Sequence, residues 1–176
     1  KKGYEYTMLK ISKEWAMPNR NTFSIKPIND LVTRVAKNCN VIVDPYANSS
    51  KFGTLTNDLN TEYDTDYHTD ALYFLKRVPD RYSDLILYDP PYSPRQIKEC
   101  YSSVGYKPEG NYTQASFWSK QKDEISRISK INSYVISFGW NSNGIGKSRG
   151  FEQIEILLVA HGGSHNDTIV VVERKL

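Results

Sequence analysis

Cysteine is scarce in this chain: Cys39 and Cys100 are the only two. They lack the close spacing of a metal or redox pair and read as ordinary thiols in a reducing, cytoplasmic setting. No apolar run approaches the roughly 18 residues that span a bilayer, so a membrane partner is not expected. The opening Lys1-Lys2-Gly3-Tyr4-Glu5 carries no secretory pattern. There is no GxGxxG and no Walker loop, which removes the usual cradles for a pyrophosphate. Excess charge is also small: 23 Lys and Arg face 20 Asp and Glu, a formal net charge of +3. That balance leans toward a polyanion without the basic surplus of a dedicated nucleic-acid binder.

What is abundant is tyrosine, 13 in 176 residues. Tyrosine suits half-buried surfaces and can stack on bases. The length fits a single domain over residues 1–176, with little room for a second module. Residues 1–22 read as polar and irregular. Pro27 extends the segment from Phe23, and Asn29-Asp30 is the expected cap of a helix running to about Lys37. Short strands are predicted at Val41–Asp44, Thr54–Asp58 and Leu85–Tyr88, with a helix from Ala71 to Lys76. Residues 93–116 read as a long polar loop around Gly105, Pro108 and Gly110. An amphipathic helix follows over Ser119–Lys130, with Ile125 and Ile128 inward. Strands at Tyr134–Phe138, Glu152–Ala160 and Thr168–Glu173 complete the chain. Alternating strands and helices predict a mostly parallel α/β sheet ending in an antiparallel pair.

Leu85-Ile-Leu-Tyr-Asp89-Pro90-Pro91-Tyr92 is the most informative stretch. A buried strand stops at an acid, and two prolines that cannot continue a sheet ladder stiffen the chain just beyond it. Asp89 and Tyr92 are thereby held at the carboxyl edge of the sheet, where open α/β folds bind ligands. A carboxylate and a proline carbonyl can accept both hydrogens of an exocyclic amine, and a ring can stack on its planar carrier. Asp44, Asp58 and Asp70 follow earlier strands or strand-like segments and are expected at the same edge. The small-residue turn Ala47-Asn48-Ser49-Ser50 permits close backbone approach, and an acid after the second strand suits ribose hydroxyls. These features point to a nucleoside-like cofactor without a phosphate chain.

With these residues in view, the chain resembles the S-adenosylmethionine-dependent amino-methyltransferases of nucleic acid, specifically the phage-type or mobile-element adenine-specific DNA methyltransferases. The resemblance covers about Trp15 to Arg174. Asp89, Pro90, Pro91 and Tyr92 match the family's catalytic tetrapeptide, its most specific element. Asp44, Pro45, Tyr46, Ala47 and Asn48 resemble its cofactor loop, usually Asp-Pro-Phe-x-Gly-x-Gly; here Asn48 and Ser50 replace both glycines. Asp58, followed by Leu59, matches the ribose acid. Asp70, followed by Ala71, matches the acid that accepts from the cofactor's adenine amine. The segment from Phe23 through Ile25 to Pro27 resembles the one that closes over the methionine part.

The resemblance implies a Rossmann-like class I methyltransferase fold: a mostly parallel seven-stranded sheet with a C-terminal antiparallel hairpin. It implies S-adenosyl-L-methionine as cofactor and methylation of adenine N6 in DNA. The alternatives are an RNA adenine or cytosine-N4 amino-methyltransferase, or a catalytically inactive cofactor-binding partner subunit. Asp89 is expected to work ionised, which requires no raised pKa. Restriction-modification or phage biology and a bacterial or phage-encoded cytoplasmic protein follow from the same likeness. No large target-recognition domain fits this length, which leaves open a homodimer or a specificity partner.

For nucleic acid, Ser93, Arg95, Trp140, Asn141, Lys147 and Arg149 are candidate contacts, the cations to phosphates. No metal site is expected. His161 and His165 share a turn with Asp167, but the Gly162-Gly163 pair fits a hairpin connection, and a structural zinc wants four ligands.

Overall fold

The computed structural model describes residues 8–106 and 115–176. Its strands are β1 (Lys10–Trp15), β2 (Ile42–Asp44), β3 (Leu55–Thr56), β4 (Ser83–Tyr88), β5 (Ser129–Gly139), β6 (Phe151–Ala160) and β7 (Thr168–Lys175). The helices are α1 (Lys26–Ala36), α2 (Ala71–Arg77), α3 (Pro94–Ser103) and α4 (Ser116–Ile128). One seven-stranded sheet has the order β1-β6-β7-β5-β4-β2-β3. β7 runs antiparallel to both β5 and β6, while the other pairings are parallel. The expected α/β class and C-terminal hairpin are therefore present.

The central strands are apolar because helices cover both faces. Leu85, Ile86 and Leu87 of β4 are all fully buried, each contributing about 2 kcal/mol of burial. Alternate residues feed two cores: Leu85 and Leu87 pack with α1, while Ile86 packs with Leu75 of α2 and Ile125 and Ile128 of α4. The inward placement of Ile125 and Ile128 is as the helical period predicted.

Three local expectations are corrected. The polar stretch before Phe23 contains β1, which pairs with β6 at the sheet edge. Its pattern is almost wholly exposed, so no alternation marked it. Helix α1 starts at Lys26, ahead of Asn29-Asp30, because Pro27 is preorganised for a first helical turn. The Asn29 side-chain amide instead donates back to the Phe23 carbonyl at 2.9 Å. The predicted loop after Tyr92 contains α3, capped by the Ser93 hydroxyl, which accepts from Gln96 N–H at 3.3 Å. Ser-Pro at a helix start explains it: hydroxyl cap, then Pro in the first turn. Pro108 and Gly110 of that loop lie outside the described residues.

Strand direction positions the site. Parallel β2, β3, β4 and β5 all end at one edge. β1 and β6 end there too, and antiparallel β7 begins there. The segment after β1, the acids after β2 to β4 and the turn before β7 therefore converge.

Candidate active site

That edge bounds a cleft of about 680 Å3. Asp89, Pro90, Pro91 and Tyr92 all line it. Asp89 directly follows the buried β4, and burial pushes its carboxyl above the usual carboxylate range. A raised value was not required by the sequence argument; it arises because the strand delivers the acid into a desolvated position. The Tyr92 hydroxyl donates to Asp89 Oδ1 and opposes the rise, as does the influence of the Thr22 hydroxyl. Burial, then the charge of Asp89, lifts the Tyr92 phenol well above its ordinary value, so the tyrosine stays a donor.

The corner is braced from outside. Tyr92 N–H donates to Gln96 Oε1 at 2.7 Å, one turn into α3. The Trp118 indole N–H donates to the Pro91 carbonyl at 3.0 Å. The Pro90 carbonyl accepts no hydrogen bond from the described residues. Trp140, just past β5, meets Tyr92 edge-on with ring centroids 5.6 Å apart and also lines the cleft.

Pro45, Tyr46 and Asn48 line the same cleft, with Asp44 and Ala47 fully buried behind them. Asn48 takes a left-handed φ of 49°, a conformation asparagine tolerates better than most residues. Ser50 is buried, and its N–H donates to the Ala47 carbonyl at 2.8 Å, closing the turn. Gly53 supplies close approach further on: a Cβ there would lie 2.7 Å from Thr56 Cγ2 and 3.0 Å from Asp44 Cβ. Asp44 accepts Tyr46 N–H at 3.2 Å through Oδ1, but its buried Oδ2 has no partner among the described residues. Burial pushes its carboxyl well above the usual range, reinforced by Asp89 and Asp58.

Asp58 and Leu59 line the same cleft as the tetrapeptide. Asp58 accepts Asn48 N–H and Asn60 N–H, each at 2.9 Å, which fixes the carboxylate and joins it to the β2 turn. Burial raises its pKa, against those two bonds. Ala71, Phe23 and Ile25 also face the cleft. Asp70 does not: it lines an adjoining hollow, caps α2 through Tyr73 N–H at 3.1 Å and accepts the Tyr101 hydroxyl at 2.5 Å.

The suggested nucleic-acid contacts are dispersed. Asn141 and Arg149 line a second hollow with Trp140. Arg149 is already engaged by Asp123 at 2.7 Å. Arg95 pairs with Glu99 at 2.7 Å on the exposed face of α3. Ser93 is the α3 cap and Lys147 is exposed.

Several residues in or beside the candidate site carried no sequence signal. Thr22 is one. Asn57 is another: its side-chain amide donates to the carbonyls of Pro45 and Thr69, at 3.1 and 3.0 Å. Gln121 accepts the hydroxyls of Tyr46 and Tyr88, at 2.9 and 3.0 Å, tying the β2 turn to the strand that bears Asp89. Gln96 could have been found as a residue one turn beyond Tyr92 in a Ser-Pro helix start. His161 lines the cleft, but its ring nitrogens lie 2.9 Å from the Ala16 carbonyl and 2.8 Å from Thr168 Oγ1.

No family model and no curated protein matches the chain. Solved structures do share its fold. TrmN from Thermus thermophilus is 16% identical with a TM-score of 0.56, over 86% of this chain and 49% of that one. This chain thus spans about half of TrmN. The N-methyltransferase NodS from Bradyrhizobium japonicum WM9 is 8% identical with a TM-score of 0.57, over 90% of this chain and 99% of that one. A SAM-dependent methyltransferase from Archaeoglobus fulgidus is 11% identical with a TM-score of 0.56, over 85% and 94%. The sheet, its single reversed strand among those described and the cleft at the carboxyl edge thus make up the fold of S-adenosylmethionine-dependent methyltransferases.

Proposed function

We propose that this protein transfers the methyl group of S-adenosylmethionine to the exocyclic N6 amine of adenine in DNA. The observation that carries this reading is the meeting of the Asp89–Tyr92 corner with Asp58 and the Pro45–Asn48 turn around one cleft. The residues fit the cofactor. The cleft falls within the roughly 300–1,000 Å3 of small-molecule sites. Asp58 is oriented by two backbone donors and retains lone pairs for a ribose diol. Ile25, Leu59 and Ala71 offer apolar wall. When bound, the cofactor supplies an electrophilic methyl group on a sulfonium.

The remaining chemistry falls to the chain. The adenine amine is a weak nucleophile because its lone pair is conjugated with the ring. Accepting its two hydrogens at the Asp89 carboxylate and the Pro90 carbonyl favours a pyramidal nitrogen and frees that lone pair. Asp89 then stabilises the positive charge that develops on nitrogen. A pKa raised by burial makes it a better proton acceptor than an exposed aspartate, while Tyr92 and Thr22 favour its ionised form. The base must leave a duplex to reach the corner, and Tyr92 and Trp140 offer aromatic surface to hold it.

Incubation with methyl-labelled donor and unmethylated DNA, followed by digestion to nucleosides, reads out which base gains mass. N6-methyladenine is the expected product. N4-methylcytosine, or label only in RNA, would replace the substrate assignment. Donor binding by calorimetry without transfer to any nucleic acid would identify a cofactor-binding partner subunit instead.

A further inference from the structure

We propose that a second hollow beside the catalytic corner binds a phosphate of the substrate strand, with Lys122 as its principal cation; this rests on the nucleic-acid reading of the corner. The hollow encloses about 490 Å3 and shares Pro90, Pro91, Tyr92 and Trp140 with the main cleft. Its opposite side comes from α4, where Trp118, Ser119 and Lys122 share a face at helical spacing. Trp118 is fixed by the Pro91 carbonyl. Arg149 enters from the loop after β5, held by Asp123 at 2.7 Å and by Ser119 Oγ at 3.0 Å.

Lys122 differs from these neighbours. It lines the hollow and is half-buried, yet its ammonium forms no hydrogen bond or ion pair among the described residues. Glu173, the carboxylate that acts on it, is already spent on the N–H groups of Ile145 and Gly146, at 2.6 and 3.0 Å. Burial and the nearby Arg149 guanidinium both push the Lys122 pKa down. A half-buried ammonium beside a second cation is costly unless an anion joins them. Ser137 adds an independent sign: it lines the same hollow, and its buried hydroxyl has no partner among the described residues.

The converging groups are donors, which suits an oxyanion. The position selects the kind of oxyanion. In a nucleotide, the phosphate stands one sugar away from the base. Here the hollow stands behind the wall that would grip the base. A phosphodiester flanking the target nucleotide satisfies both.

The test compares binding of deoxyadenosine, its 5′-monophosphate, inorganic phosphate and a short DNA duplex to the wild-type chain, Lys122→Gln and Lys122→Arg. The wild type is expected to prefer the monophosphate over the nucleoside about tenfold. Lys122→Gln should lose that preference and lower the salt slope for duplex by about one. Lys122→Arg should restore both, and donor affinity should be unchanged in all three. An unaltered preference or slope in a folded Lys122→Gln overturns the proposal. Inorganic phosphate binding as tightly as the nucleotide also overturns it, in favour of a free-phosphate site. Phosphate preference in a wild type that methylates no nucleic acid overturns the proposed function and leaves the phosphate site standing.

Discussion

The Tyr92 hydroxyl donates a hydrogen bond to Oδ1 of Asp89, three residues earlier. Two prolines fold the chain so that the ring returns over the acid. Tyr92 therefore has two roles: its ring meets Trp140, and its hydroxyl tunes the charge of Asp89. The sequence suggested only the stacking role.

Removing that hydroxyl has a definite sign. Burial raises the Asp89 pKa and the Tyr92 bond lowers it, so Tyr92→Phe raises it further. On the proposed chemistry turnover needs the ionised carboxylate and is lost as pH falls through that pKa. The acid limb of the pH–rate profile should move to higher pH, with kcat/KM at neutral pH down about tenfold. An acid limb that stays in place would remove the tuning role.

Asp89→Ala removes the acceptor proposed for the amine. Methyl transfer should become undetectable while calorimetry still reports donor binding, because Asp58 and the β2 turn are intact. Retained turnover would refute the role given to Asp89.

Asn48 stands at φ 49°. Asn48→Gly should leave urea stability within a few tenths of a kcal/mol, because glycine takes this conformation freely. Asn48→Val should cost about 1–2 kcal/mol and weaken donor binding, because a β-branched residue resists the left-handed region. Equal stability of the two variants would show that the turn does not depend on this residue.

Asp44 couples stability to pH. Its folded-state pKa is raised well above the ordinary value, chiefly by burial. The contribution is therefore fully present below the unfolded pKa, about 4, and is lost as pH rises through the folded value. Asp44→Asn should flatten the decline in unfolding free energy across that window, measured by urea titration at a series of pH values. An unchanged slope would mean that Asp44 is ionised in the fold.

Much of the candidate site's local structure was legible because it is local. An apolar run, an acid and two prolines determine a strand end with a rigid corner, whatever surrounds them. Asn48 was readable as the left-handed residue because few other side chains tolerate that backbone. Alternating strands and helices likewise determined the α/β class. Tertiary structure alone decided that β1 completes the sheet edge, since its exposed residues carry no pattern until β6 supplies hydrogen-bonding partners. It also brought Thr22 to Asp89, Gln121 to two tyrosines and Lys122 to the second hollow. Those contacts join residues distant in sequence, and their chemistry exists only once the strands align at a common edge.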